Sequence, residues 1–278
     1  MYKNDGHIEK IEKIPSKEQL AFLQHEKRTK TKITAIQIGV LIAFFLAWEI
    51  AADTKMIDPF IFSQPSRMVS ACIELMANGS LFRHIGTTFS ETVIGFVLGT
   101  IIGTATAVVL WWSPLLSKIS EPYLVVLNAL PKTALAPIII VWIGNSPNAI
   151  IAVALLTSTV VTIMNVLSGF LQVDDEKIKL IQIFGGTKGQ ILRKVILPAN
   201  IACILNALKI NVGLSFVGVI VGEFLVAQSG LGYLIIYGSQ VFKLDWVMLS
   251  VILLGVMAAV MYQCIAFVEK LYLSRNRH

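Results

Sequence analysis

The sequence has few charged residues, and its cysteines form no recognisable pattern. Only 14% of its 278 residues are Asp, Glu, Lys or Arg, whereas 55% are hydrophobic. About a quarter of the residues of a typical soluble domain are charged. The three cysteines, Cys72, Cys203 and Cys264, give neither a disulfide framework nor a metal-ligand spacing. This composition excludes an ordinary soluble domain and indicates an integral membrane protein.

Motifs for nucleotide binding and hydrolysis are missing too. The run 185–189, GGTKG, does not have the G-x4-G-K-[S/T] order that cradles phosphates. The sequence contains no H-E-x-x-H and no G-x-S-x-G, and its four histidines are dispersed. We therefore expect no catalytic residue, no metal site and no cofactor. A voltage sensor is excluded as well, because no apolar run carries an arginine ladder.

Long apolar runs dominate the chain. A helix needs about 20 apolar residues to cross the hydrocarbon core of a bilayer. Six segments meet this requirement: Ile33–Ala52, Thr88–Trp111, Ile119–Ile143, Asn148–Phe170, Ala199–Ala227 and Trp246–Glu269. The sequence therefore predicts an all-α membrane domain over residues 33–270. It lies between a basic N-terminal tail, 1–32, and a C-terminal tail, 271–278.

The positions of Lys and Arg predict the orientation of these spans. If the N-terminus lies inside, the inside segments hold 17 of these residues and the outside loops hold four. Positive residues concentrate on the cytoplasmic side of membrane proteins. We therefore expect both termini and the loop 171–198 in the cytoplasm. The partner that this charge distribution predicts is a lipid bilayer and not a nucleic acid.

Small and polar residues interrupt three of the spans. Gly95, Gly99 and Gly103 in the second span, and Gly218 and Gly222 in the fifth, have the four-residue spacing of closely packed helices. The third span contains Asn128, Pro131, Lys132 and Pro137, and the fifth contains Asn211 and Glu223.

Two interpretations of Lys132 stay open. A lysine at mid-membrane depth is costly, so it can mark a water-filled pathway. Alternatively, it can bond the backbone carbonyls that the neighbouring prolines release, since lipid cannot satisfy them. The same two interpretations apply to Asn211 and Glu223. For Glu223 a structural role, at the interface or beside a lysine, is favoured.

The segment Leu171–Pro198 is charged and amphipathic, unlike the runs around it. Asp174 can cap a first helix, Gly185-Gly186 can end it, and Thr187 can cap a second one. Each helix has one apolar side. Such a pair can form a docking surface for another protein or lie on the lipid headgroups, and physical grounds alone favour neither.

This segment also carries half of a known signature. Gly185 is followed by nine residues and then by Val195-x-Leu197-Pro198. The pattern resembles the E-A-A-x3-G-x9-I-x-L-P motif of inner-membrane permeases in binding-protein-dependent ABC importers. The stretches LPKTALAPIIIVWIG, 130–144, and GEFLVAQSGLGYLI, 222–235, resemble the nitrate/sulfonate/taurine type. The similarity extends over residues 59–270.

The resemblance implies a fold, a mechanism and partners. We expect a type I permease fold with six transmembrane helices in a prokaryotic cell membrane. The implied partners are cytoplasmic ATPase subunits, which hydrolyse the ATP, an extracytoplasmic binding protein and a second permease copy in a homodimer. The expected ATPase-coupling residues are Ile178, Lys179, Ile181, Phe184, Gly185, Gly186, Val195, Leu197 and Pro198. The expected translocation path consists of Asn128, Lys132, Asn211 and Glu223.

The sequence departs from the family pattern at several positions. Lys179 stands where the motif has its glutamate, and Leu180 and Ile181 replace two small residues. Glu91 stands where relatives often have a basic residue. The contact that the family glutamate makes therefore cannot be transferred to this chain.

The expected function is ATP-driven import of a small solute by alternating access. Lys132 is compatible with an anionic, sulfonate-, nitrate- or taurine-like cargo. An alternative is a secondary transporter driven by an ion gradient, with Glu91, Glu223 and Lys132 as a relay. A membrane-embedded scaffold or channel is a third possibility.

Overall fold

The computed structural model describes residues 17–275, in which every regular element is a helix. Before the loop 172–174 the helices are α1 (Lys17–Asp53), α2 (Pro59–Phe62), α3 (Pro65–Ala77), α4 (Ser80–Trp112), α5 (Pro114–Ala129), α6 (Lys132–Ile143) and α7 (Pro147–Leu171). After it come α8 (Asp175–Ile183), α9 (Lys188–Ile191), a π-helical turn (Leu192–Ile196), α10 (Leu197–Ala199), α11 (Ile201–Val226), α12 (Leu231–Gln240) and α13 (Leu244–Arg275). The chain forms one unit up to Pro59 and a second from Phe60 onward.

Five of the described helices are long and apolar enough to cross a membrane. They are α1 over Arg28–Asp53, α4, α7, α11, and α13 over Leu244–Tyr272. The pair α5 and α6 gives a sixth span if the two are counted together. The predicted all-helical membrane fold is confirmed, with shifted bounds. The predicted tail is helical from residue 17, whereas residues 1–16 and 276–278 lie outside the described part.

The third predicted span is bent by 96° between α5 and α6. Leu130 and Pro131 both have extended backbone conformations there. The ring of a proline disfavours helical geometry at the residue before it, so Pro131 accounts for the break. Pro122 and Pro137 lie inside α5 and α6 without ending them. The break therefore lies at Pro131, whereas α5 and α6 continue through the other two prolines.

Helix α7 forms the centre of the second unit, because α4 and α11 both pack along it. A Cβ atom added to Gly95 would lie 2.8 Å from Ala154, and one on Gly103 would lie 2.5 Å from Thr162. From α11, a Cβ on Gly218 would lie 2.5 Å from the Cα of Ala154. These distances leave no room for a side chain. Glycine thus allows both helices to approach α7 at backbone distance.

A polar contact joins the same three helices. Nδ2 of Asn211 on α11 donates to Oγ1 of Thr162 on α7 at 2.5 Å and to Oγ1 of Thr100 on α4 at 3.3 Å. Hydrogen bonds of this kind hold transmembrane helices together where no water competes. Asn211 therefore lies at the junction of α4, α7 and α11.

Side chains of α4 and α11 hold the first turn of α12. The amide of Leu231 donates to Oγ1 of Thr88 at 2.7 Å, and that of Gly232 donates to Oε2 of Glu223 at 2.5 Å. The Thr88 hydroxyl donates in turn to Oε1 of Glu223 at 2.6 Å. Amides at a helix N-terminus have no partner within their own helix. These acceptors satisfy two of them inside the protein.

Gly230 precedes this turn and cannot be replaced freely. Its φ of 123° is unfavourable for a residue with a side chain. A Cβ atom there would also collide with the Glu223 carboxyl group. The Gly230 amide donates to Nδ1 of His84 at 3.0 Å, which ties the turn to α4 once more.

We expect Gly103→Ala to destabilise the protein by about 1–3 kcal/mol, the usual cost of overpacking, because the new methyl group would collide with Thr162. Gly86→Ala is the matched control on α4, where a Cβ meets nothing within 4 Å. The measurement is thermal unfolding in detergent. Equal melting temperatures for the two variants would contradict the proposed close approach of α4 and α7.

We expect Thr88→Val to lower the melting temperature, since the Leu231 amide would lose its acceptor and Glu223 a donor. A buried polar group left without a partner costs about 1–3 kcal/mol. Thr106→Val is the control, because the Thr106 hydroxyl bonds only a carbonyl of its own helix. If Thr88→Val and Thr106→Val have the same melting temperature, the hydrogen bonds of Thr88 do not stabilise the attachment of α12.

Candidate functional site

The candidate site begins in the segment between α7 and α11. Helix α8 starts where the Asp174 side chain accepts from the Glu176 amide at 2.9 Å. It ends before Gly185, whose φ of 74° reverses the chain. Thr187 and Gln190 then form a reciprocal capping box that starts α9. The predicted caps and the glycine turn between two short helices are confirmed.

The second helix of the segment contains a π turn. The Leu197 amide donates to the carbonyl of Leu192, five residues back. Pro198 has no amide hydrogen to donate and lies inside the last turn, which ends at Ala199. The helix thus continues one residue past the predicted end. Single π turns are frequent at functional sites.

One face of the segment is anchored on the membrane helices. Ile191 and Ile196 are buried, and Ile178 and Ile181 pack against the same cluster. We call this the inner cluster; its buried members are Ala107, Leu110, Ile163, Val166, Leu167, Phe170, Ile191, Ile196 and Ala207. The segment therefore has a fixed position relative to α4, α7 and α11.

Three of the expected coupling residues, Ile178, Ile181 and Phe184, differ in their surroundings. Ile178 and Ile181 contact their own chain, whereas Phe184 is 80% exposed and the neighbouring Ile183 is 81% exposed. With 3.6 residues per turn, Phe184 lies about 120° around the helix from Ile178. Ile183 was not among the expected coupling residues, although its position about 140° around the helix from Ile178 follows from the same helical period.

The remaining predicted coupling residues divide in the same way. Lys179, Gly185 and Pro198 are exposed, and Gly186, Val195 and Leu197 are half-buried. A Cβ atom on Gly186 would lie 2.8 Å from the carbonyl oxygen of Ile181. Glycine is therefore required sterically at Gly186, and at Gly185 by its backbone conformation.

Lys132 lies at the break between α5 and α6, on an exposed part of the chain. Its Nζ donates to the Asn128 carbonyl at 2.7 Å and lies 3.4 Å from the Asn128 side-chain oxygen. That carbonyl is among the last four of α5, which have no partner within the helix. Lys132 also borders a cavity of ≈ 270 Å³ together with Thr157 of α7 and Gly218 of α11. Both interpretations of Lys132 thus have a structural counterpart.

Asn211 and Glu223 do not border that cavity. Each is only 1% exposed, and Asn211 bonds Thr162 and Thr100. Glu223 has no lysine beside it among the described residues. Its hydrogen-bond partners are Thr88 and Gly232, and Glu91 is its charged neighbour. Of the two structural alternatives for Glu223, at the interface or beside a lysine, the described residues show neither, and the placement of both residues supports a role in helix packing.

Comparisons with known proteins agree with this architecture. Residues 95–278 match the family described as binding-protein-dependent transport system inner membrane component. The chain is 30% identical over 193 residues to the formylaminopyrimidine transport permease protein ThiX of Halalkalibacterium halodurans, covering 69% of this chain and 76% of the relative. It is 21% identical over 244 residues to the taurine transport system permease protein TauC of Escherichia coli, covering 84% of this chain and 89% of the relative.

The fold is also similar to a solved one. An inward-facing structure of the MetNI methionine ABC transporter matches with a TM-score of 0.55 and 21% identity, over 68% of this chain and 96% of the matched chain. The relatives are permease subunits and not enzymes, so ATP hydrolysis belongs to a partner ATPase. The chain belongs to the inner-membrane components of binding-protein-dependent transport systems and is a permease subunit of an ABC importer.

Proposed function

We propose that this permease moves a small anionic solute, similar to a sulfonate or taurine, into the cell by alternating access. In this proposal both termini and the segment Leu171–Pro198 lie in the cytoplasm, where a separate ATPase docks on the segment. The observation that carries the proposal is the exposed pair Ile183 and Phe184 at the corner of a segment whose inner side is anchored on the membrane helices.

The exposed corner has the properties of a docking point. Large apolar side chains this exposed outside the membrane spans are typical of protein contacts. Ile178 and Ile181, on the inner side of α8, are packed on the inner cluster. A displacement of Phe184 would therefore be transmitted to α7 and α11 through packed side chains, because α8 is fixed on the inner cluster and is not a flexible loop.

The family departure at Lys179 concerns the same surface. Lys179 is exposed on α8, close in sequence to the exposed corner. A cation in place of the family glutamate would repel a basic groove and attract an acidic one. We infer that the ATPase of this importer has a less basic groove than the ATPases of its relatives.

Lys132 supports the anionic class of the solute. A lysine ammonium group has three donors, and the Asn128 carbonyl takes one of them. The others can bind a sulfonate or carboxylate that enters the adjoining cavity, with a charge-assisted hydrogen bond. The name of the taurine permease among the relatives is consistent with this class.

The proposal includes two further partners. A binding protein on the outer side would deliver the solute, and the family description, which calls the transport system binding-protein-dependent, is consistent with this partner. A second copy of the chain would complete the pathway. Helix α6 leaves Val141 and Trp142 exposed, and either lipid or the second copy would cover them.

The ion-gradient alternative has less support. Its relay required Lys132, Glu91 and Glu223 to act together. Lys132 borders the cavity between α6, α7 and α11, whereas Glu91 lies beside Glu223 at the α12 junction. Neither carboxyl group lines that cavity, and the relatives belong to ATP-driven importers.

We expect Phe184→Asp to abolish co-purification of the ATPase, because it would place a charge in an apolar contact. The measurement is a pull-down of the tagged chain from its native membranes in mild detergent, followed by mass spectrometry. Phe184→Leu, which keeps an apolar side chain, and Lys177→Gln on the same segment are controls that should retain the ATPase. A stoichiometric ATPase that persists with Phe184→Asp would show that it docks elsewhere.

We expect Lys132→Ala to raise the taurine concentration for half-maximal ATPase stimulation about ten- to a hundredfold, the value of a hydrogen bond to a charged group. Lys132→Arg keeps the charge and should recover most of the response. The assay uses the complete complex with its binding protein in proteoliposomes. An unchanged response of Lys132→Ala would remove Lys132 from solute binding and leave it as a helix-end contact.

A further inference from the structure

Two adjoining cavities follow α5 from the segment Leu171–Pro198, which we call the coupling segment, towards the middle of the membrane domain. The first, of ≈ 410 Å³, lies between α5, the end of α4, and helices α8 and α9. The second, of ≈ 310 Å³, lies between α5 and α7. Ser117, Glu121 and Leu171 line both of them. We call the combined space the α5 groove.

The α5 groove carries basic side chains at one end, the polar end, and none at the other, the apolar end. Lys118 and Lys188 line the polar end beside the coupling segment, among side chains that are mostly apolar. The apolar end runs along the membrane helices and is lined by Leu124, Val125, Met164 and Leu167, together with Ser168 and Gln172. Charge and apolar surface thus follow each other in the order found in a lipid molecule.

The groove exists because α5 stands away from the rest of the bundle. None of its residues is buried, although it contains several large apolar side chains. The Ser113 side chain accepts from the Leu116 amide and fixes the start of α5 directly after α4. Further along, the two helices α5 and α7 leave a space that their own side chains do not fill.

We propose that the α5 groove binds one molecule of phosphatidylglycerol. Its phosphate would lie between Lys118 and Lys188, and one acyl chain would follow Leu124 and Leu167. Basic pockets between membrane helices on the cytoplasmic side bind anionic headgroups, and lysine stems reach along apolar surface while their charge stays in the polar zone. The proposal rests on the proposed function for the cytoplasmic position of the coupling segment.

The charges at the polar end distinguish between headgroups. Lys188 donates to the Trp112 carbonyl at 3.3 Å, which holds it at the groove, and Lys118 makes no ion pair among the described residues. Glu121 stands beside them and can accept from the hydroxyls of a glycerol headgroup. A choline headgroup has no hydroxyl for this carboxylate. Free phosphate would leave the apolar end empty.

Such a lipid would also touch the coupling segment. Ile178 and Gln182 of α8 line the same cavity as Lys118. The bound lipid would fill the space under α8 and brace it against α5. Lipid composition would then change how firmly the docking surface for the ATPase is held.

The test uses the purified full-length chain in detergent micelles. Phosphatidylglycerol brominated on its acyl chains is added, and tryptophan fluorescence is recorded, because Trp111 lines the groove. Brominated phosphatidylcholine measures general contact with lipid. We expect phosphatidylglycerol to quench at a concentration at least fivefold lower than phosphatidylcholine. The difference should disappear in Lys118→Gln/Lys188→Gln and persist in Lys177→Gln, whose side chain lies outside the groove.

Two further measurements identify the ligand and the position at which it binds. Glycerol 3-phosphate in excess should not relieve the quenching, since a soluble phosphate cannot replace the acyl chain. Trp111→Phe should remove the phosphatidylglycerol-specific part of the signal. Equal quenching by both lipids, an unchanged double variant, or relief by glycerol 3-phosphate would each overturn the proposal.

The outcome can be separated from that of the proposed function. ATPase co-purification with the unmodified chain, and its loss in Phe184→Asp, is scored independently of lipid. If the ATPase docks and the two lipids quench equally, the lipid site is wrong and the importer function stands. If the lipids differ and no ATPase docks, the docking proposal fails and the groove remains a lipid site.

Discussion

The close packing of α4 and α11 along α7 is the constraint on which the second unit depends. Three glycines of α4 and two of α11 allow backbone-distance approach to one helix. In lipid, apolar surface gives little preference for protein over solvent, so close packing and interhelical hydrogen bonds must hold such helices together. Asn211, bonded to both neighbours, adds a polar contact at the place where the three helices meet.

The two ends of this three-helix core hold different attachments. At one end, α12 begins against Thr88 and Glu223. At the other, the inner cluster joins the coupling segment to α4, α7 and α11. Under the proposed function, α12 lies at the outer end of this core, and the ATPase acts at the inner end, where apolar contacts fix α8. Hydrogen bonds hold α12 because its buried N-terminal amides need acceptors. Apolar packing holds the coupling segment.

Much of the architecture could be predicted from the sequence, because long apolar runs and prolines have local effects. The spans, the break at Pro131, the glycine turn and the caps at Asp174 and Thr187 all depend on neighbouring residues. The surroundings of Glu223 could not be predicted in this way. Its partners Thr88 and Gly232 lie on other helices, and only the packing decides which polar groups meet. The start of α4 at Ser80 was missed for a different reason. The first turns of this helix are not uniformly apolar, so the predicted span began only at Thr88.

For the coupling segment, the local sequence pattern predicts the helices but not what their apolar sides contact. The helical period correctly gives α8 an apolar side, but it cannot say whether that side faces a partner or the chain itself. The inner cluster decides this, because Ile191, Ile196 and Phe170 present an apolar surface that α8 must cover. The exposed apolar residues of α8 and its end, Leu180, Ile183 and Phe184, are those that the proposed function leaves for another protein. The docking surface proposed for this chain is therefore found by subtracting the anchoring face from the amphipathic pattern, and not by the pattern itself.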